Sequence, residues 1–157
     1  MTTITLESIK AEQTKLAFMI NELEAQTAAK REQIHFPEVL IDLNHGEHYA
    51  GLIVGKDGEP SYRLVLLPGE VEEITFEAAK EWAAQQGGEY EASLPTRREQ
   101  ALLYANLNEE FKPAWYWSGE MHASTGWAWC QYFDDGYQDS TRQSLQLRAR
   151  AVRRLPI

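Results

Sequence analysis

Cysteine is almost missing from this chain of 157 residues: Cys130 stands alone. No intrachain disulfide can form, which fits a reducing, cytosolic setting. Long apolar runs are missing too, so no segment is expected to cross a membrane. No charged stretch followed by an apolar stretch opens the chain, so a soluble protein without an N-terminal export signal is expected. Positive charge is in deficit, with 15 Lys and Arg against 24 Asp and Glu, and the net charge of −9 argues against a general nucleic-acid binder. The exception is the end. Residues 142 to 157 hold Arg142, Arg148, Arg150, Arg153 and Arg154 and no acid, leaving the first 141 residues at about −14. On an apolar-patterned strand such arginines are expected to pair with acids of the same molecule rather than with phosphate.

What is abundant is aromatic. Four of the five tryptophans, Trp115, Trp117, Trp127 and Trp129, fall within fifteen positions, interleaved with Tyr116, Tyr132, Phe133 and Tyr137. Aromatics two apart point to one side of a strand, so each run sets large rings on one face and smaller groups on the other. The alternation places Trp127, Trp129, Gln131 and Phe133 on one side, and Ala128, Cys130, Tyr132 and Asp134 on the other. Trp117, Trp129 and Phe133 are the expected core, which makes Cys130, Tyr132 and Asp134 the outward set. For Tyr132, Tyr137 and Trp127, burial and exposure are equally open.

The composition, 43% hydrophobic and 25% charged, is that of a globular chain, and its length suits one ordinary core. Residues 4 to 34 read as one helix capped by Thr5, with Ile9, Leu16, Ile20, Leu23 and Ile34 near a seven-residue repeat broken by Gln13, Thr27 and Lys30. Such a helix either packs across the domain or zips against copies of itself. Self-association is the reading carried forward, with dimer and trimer both open. His35-Phe36-Pro37 should end the helix. A hairpin follows, Tyr49 to Gly55 and Ser61 to Leu67, turned by Asp57-Gly58. A helix runs from Thr75 to about Gln86 and stops at Gly87-Gly88. Thr96-Arg97-Arg98-Glu99 is a capping box opening another, with Leu102, Leu103 and Leu107 inward. Turns at Gly119, Ser124 to Gly126, Asp134 to Gly136 and Asp139 to Thr141 separate short strands, and one last strand spans Leu145 to Arg154.

Reactive constellations are weak. Asn44-His45-Gly46-Glu47-His48 matches no zinc spacing and reads as a polar turn. His122 is a lone loop histidine, and Asp134-Asp135-Gly136 lacks the alternation of a calcium loop. Cys130 has no histidine or second cysteine beside it and reads as an inert thiol. Gly51-Leu-Ile-Val-Gly55 is a strand rather than a phosphate loop. No catalytic residue, metal or cofactor is expected.

Several motifs together carry a resemblance: Thr75-Phe-Glu-Ala-Ala-Lys-Glu-Trp82, Ser93-Leu-Pro-Thr96 before a capped helix, Trp115-Tyr-Trp-Ser118, Trp127-Ala-Trp129 with Asp135-Gly136 after it, and Arg148-Ala-Arg-Ala-Val-Arg153. From about residue 46 to 155 the chain resembles the bacterial and phage lectin-like domains related to the C-terminal domain of the Legionella collagen-like adhesin. The resemblance implies an α+β, C-type-lectin-like fold, two helices with small antiparallel sheets and long loops. The long N-terminal helix (1–35) would precede that domain (36–157). The same fold serves phage receptor-binding proteins and the formylglycine-generating oxidases. The oxidases need paired cysteines, which Cys130 alone cannot supply. The Glu-Pro-Asn and Trp-Asn-Asp motifs of calcium-dependent sugar lectins are missing from the sequence.

The expectation is therefore a non-enzymatic recognition protein of phage or prophage origin that binds a host protein or surface receptor. The alternative is an intracellular phage-encoded inhibitor or regulator of a host protein. Homo-oligomers through the N-terminal helix are expected; membrane insertion and nucleic-acid binding are not. The candidate ligand-binding residues are Trp127, Cys130, Tyr132, Asp134 and Asp135, with Tyr137, Asp139, Thr141 and Gln143 beyond the turn.

Overall fold

The computed structural model describes residues 4–29, 35 and 38–157. They fall into two compact units, one up to Leu40 and one from Ile41 onward. The first holds helix α1 (Leu6–Ala29). Its start is tied reciprocally: the Ser8 amide donates to Thr5 Oγ1 at 3.2 Å, and the Thr5 amide to Ser8 Oγ at 3.1 Å. Ile9, Leu16, Ile20 and Leu23 are exposed along it. Lys30 to Ile34, Phe36 and Pro37, where the helix was expected to run on and stop, lie outside the described residues.

The second unit is mixed α and β, and the whole described chain has three α-helices and two sheets. Strand β1 (His48–Ile53) pairs antiparallel with β2 (Tyr62–Leu66). Asp57 and Gly58, at φ 54° and 85°, make the turn between them, as the Asp-Gly pair requires. Then come β3 (Val71–Ile74), α2 (Phe76–Gln85), β4 (Ala92–Ser93) and α3 (Arg97–Leu107). A single 3-10 turn, Asn108–Glu110, leads to β5 (Trp115–Met121), β6 (Trp127–Tyr132), β7 (Gln138–Arg142), β8 (Leu147–Ala149) and β9 (Val152–Pro156). One sheet has the order β1-β2-β9-β4, the other β3-β8-β5-β6-β7, in which only β5 and β8 run parallel. The capping box of α3 is made: Glu99 N donates to Thr96 Oγ1 at 3.2 Å, and Thr96 N to Glu99 Oε2 at 2.8 Å.

Three sequence expectations change. The last strand is two, β8 in one sheet and β9 in the other, because the chain crosses between sheets at Arg150-Ala151. The buried Arg150 guanidinium holds that crossing by donating to the carbonyls of Glu110 (2.6 Å) and Leu67 (2.9 Å). Gly119 is no turn but part of β5, where a Cβ would sit 3.2 Å from the Leu94 carbonyl. Asp139 to Thr141 lie inside β7, and the turn comes after it, at Gln143 to Leu145. Strands β3 and β4 had no sequence signal, being four and two residues long.

The core has two halves, one on each side of the β5–β6 hairpin. Trp117, Ala128 and Cys130 pack with Phe76, Ala79 and Ala83 of α2. Tyr116 and Phe133 pack with Leu103 of α3 and with Leu64 and Leu66 of β2. Phe76 meets Trp117 edge-on at 5.5 Å, and the Trp117 indole N–H donates to the Ile74 carbonyl at 2.8 Å. Both sides of these strands are covered, so period-two alternation sorts residues between two cores instead of between core and solvent. That overturns two of the expected positions, with Cys130 only 3% exposed and Trp129 half-buried, while Phe133 is buried and Asp134 exposed as expected.

Three of the terminal arginines do pair with acids of the chain. Arg148 reaches Glu70 (3.1 Å) and Glu72, Arg153 reaches Glu47 (2.8 Å), and Arg154 reaches Glu99 (2.6 Å).

Candidate functional site

The hairpin register decides which candidates meet. Trp115 of β5 lies opposite Tyr132 of β6, and Cys130 lies opposite Asp139 of β7. The Trp115 and Tyr132 rings are 5.2 Å apart, and Tyr137, three-fifths exposed, approaches Trp115 edge-on at 6.3 Å. Beside this trio opens a groove of about 260 Å³ lined by Trp115, Cys130, Asp139, Ser140, Thr141, Leu145 and Leu147. A second hollow of about 250 Å³ shares Trp115 and Leu147 with it and includes Glu72 and Glu73.

Strand β7, which forms one wall, is fixed from its other side. Gln138 donates to the Arg97 carbonyl and to Gln131 Oε1, both at 2.7 Å, and accepts from Arg97 Nε at 3.1 Å. Gln131, fully buried, passes the chain on to the Gln100 carbonyl at 3.0 Å. These bonds tie β6 and β7 to the first turn of α3. The Arg97 guanidinium also lies 3.5 Å from the centre of the Trp129 ring, which explains why this tryptophan sits under a cation and not in the core.

The turn that carries Tyr137 is equally determined. Asp135 Oδ1 accepts from the Tyr137 amide at 2.9 Å, and the Gly136 amide donates to the Tyr132 carbonyl at 2.8 Å. Gly136 has φ 79°, and a Cβ there would press to 2.8 Å from the Tyr104 ring.

Cys130 forms the floor of the groove. Its thiol donates to the Asp139 carbonyl at 3.4 Å. Burial, and then the charge of Asp139, push its pKa up to about 12, which keeps it protonated at neutral pH. Such a thiol is a poor nucleophile and a poor metal ligand. Elsewhere, Glu47 of the His45–His48 turn is taken up by Arg153 and by the Asn44 amide. Among the described residues no group of three or more His, Cys, Asp and Glu is arranged to hold a metal ion.

Of the nine residues expected to bind ligand, the structure thus gathers Cys130, Asp139 and Thr141 in the groove, and Tyr132 and Tyr137 beside it. Cys130 is a buried floor and not the outward contact that was expected. Asp134 and Asp135 stand exposed on the adjoining turn. Trp127 does not join them: it opens β6, at the far end from Tyr132, and pairs with Arg142. Gln143 is a brace, with Nε2 donating to the Trp127 carbonyl at 3.1 Å. Trp115, Ser140, Leu145 and Leu147 were missed as site residues. Trp115 alone carried a signal, because pairing β5 with β6 sets it across from Tyr132.

No protein-family model matches this chain, and no curated protein matches it. No described helix is long and apolar enough to cross a membrane.

Proposed function

We propose that this chain is a non-enzymatic recognition protein of phage or prophage origin, with a C-type-lectin-like domain that binds a host protein or surface receptor. The α+β architecture, with α2 and α3 beside two largely antiparallel sheets, is consistent with that domain. The observation that carries the reading is the Trp115–Tyr132–Tyr137 trio at the edge of an open groove. Tyr and Trp supply large, stiff contact area at little entropic cost, and they are over-represented among residues that dominate binding energy. Burial and the Asp139 charge keep the groove's one thiol protonated and no histidine lines it, which supports binding over covalent chemistry.

The exposed stripe Ile9, Leu16, Ile20 and Leu23 supports a second element of the proposal, assembly of copies through α1. Several weak faces would then engage together and raise avidity.

The experiment is capture from fractionated host lysate and envelope by the full chain and by the variant carrying Tyr132→Ala and Tyr137→Ala. The double change should weaken capture by roughly 2 kcal/mol, about thirtyfold, with the fold intact. Unchanged affinity in a correctly folded variant would remove this face from the proposal.

A further inference from the structure

The carboxylates beside the groove have no partner cation among the described residues, unlike those that the terminal arginines hold. Glu47, Glu70, Glu72 and Glu99 each meet an arginine. Asp134, Asp135 and Asp139 pair with no cation among the described residues. Asp135 Oδ1 accepts from the Tyr137 amide, and Asp139 Oδ1 from the Ser140 amide at 2.8 Å. The other carboxylate oxygen of each has no protein donor among the described hydrogen bonds. The nearest arginine along β7, Arg142, is in register with Trp127, away from Tyr132 and Tyr137. Arg148, which lines the neighbouring hollow, is already engaged by Glu70 and Glu72.

Aromatic ring faces beside uncompensated carboxylates form an environment that favours a cation twice over. The ring quadrupole attracts positive charge, and the carboxylates add a Coulombic term. An anion would be repelled, and a neutral sugar, which could stack its C–H face on the rings, would gain no net Coulombic term from the carboxylates. We infer that the groove between Trp115, Asp139 and Leu147 seats an arginine side chain from a partner protein, its guanidinium lying on the half-buried Trp115 and Tyr132 rings and the exposed Tyr137 ring and facing the Asp135 and Asp139 carboxylates. This rests on the recognition reading and specifies its ligand chemistry. Arginine suits the site better than lysine because a planar guanidinium lies flat on a ring and keeps its in-plane donors free for carboxylates. The domain uses the same contact internally, with Arg97 over Trp129 at 3.5 Å and Arg153 over Tyr90 at 4.6 Å. The apolar wall of Leu145 and Leu147 would cover the methylene stem.

The test uses the full chain with nitrogen-15 labelling and follows the Trp115 indole resonance, assigned through Trp115→Phe. The probes are a capped glycine peptide with one central arginine, the same peptide with citrulline, and lactose. Citrulline keeps the shape and removes the charge. Asp135→Asn and Asp139→Asn together remove both charges but keep the side-chain oxygens that accept from the Tyr137 and Ser140 amides. The arginine peptide should bind roughly tenfold more tightly than the citrulline peptide, and the double Asn variant should reduce that difference to the smaller part the rings supply. Equal binding of the two peptides, binding of lactose in their place, or no response to the arginine peptide would overturn the inference. Capture of the natural partner separates the two levels. If the Tyr132 and Tyr137 variant loses capture while the double Asn variant keeps it, the cation is wrong and the recognition face stands. If both keep it, both readings fail.

Discussion

Glu47 and Arg153 form a two-armed ion pair across 106 positions of sequence, with Arg153 Nε 3.0 Å from Glu47 Oε1 and Nη2 2.8 Å from Oε2. Both side chains are 4% exposed. Arg153 also donates to the Asp42 carbonyl at 3.2 Å, so the pair fastens the segment before β1 to strand β9.

Removing one partner of such a pair leaves a buried charge without compensation. Glu47→Gln should therefore cost about 3–5 kcal/mol in denaturant unfolding, whereas a combined Glu47→Gln and Arg153→Met exchange should recover part of that loss. The Arg153 hydrogen bonds hold the Glu47 carboxyl below its usual range, outweighing burial, which acts the other way. The unfolded chain then binds the proton more readily than the folded one. The contribution of Glu47 is complete above the ordinary carboxylate pKa and is lost as pH falls through the lowered folded value. Unfolding curves for the parent chain and Glu47→Gln should converge on acidification; a constant gap down to the acid transition would contradict this assignment.

Cys130 should be unreactive in the native protein. With its pKa pushed up to about 12 by burial and the Asp139 charge, almost no thiolate exists at pH 8. A thiol-specific disulfide reagent should modify it at the rate of global or local opening, and rapidly in urea. Asp139→Asn removes the smaller cause only and should leave the rate nearly unchanged. Immediate stoichiometric modification under native conditions would show the groove floor to be open.

The α1 stripe predicts self-association. Replacing Leu16 and Ile20 by Asp should give a monomer by light scattering while circular dichroism still reports the folded α+β domain. The parent chain should be at least dimeric at the same concentration. A monomeric parent would defeat the proposed assembly.

Local chemistry made part of this architecture readable from sequence. Thr96 and Glu99 specify a helix start because their groups satisfy neighbouring amides within four residues, and Asp57-Gly58 specifies a turn because its backbone angles suit few other pairs. Thr5 and the uninterrupted residues after it likewise specify α1. The abundance of acids and the single cysteine also bounded the chemistry before any fold was known. The candidate site was half readable: the segment from Tyr132 to Thr141 was identified, but its partners Trp115, Leu145 and Leu147 come from other strands.

What tertiary structure alone decided is which side of each strand counts as inside. Alternation along β6 has a period of two whichever face is buried, so sequence could not tell that α2 covers one side and α3 the other. Hence Cys130 went inward, and Trp129 found its partner in Arg97, thirty-two positions away and in another element. The crossing at Arg150 is of the same kind. Nothing local distinguishes β8 from β9; the break exists because two different sheets recruit adjacent segments of one alternating apolar and arginine pattern, and a buried guanidinium satisfies carbonyls where they part. Sequence set the caps, turns and charge, which depend on neighbours a few residues apart. Long-range pairing set the faces, and with them the groove.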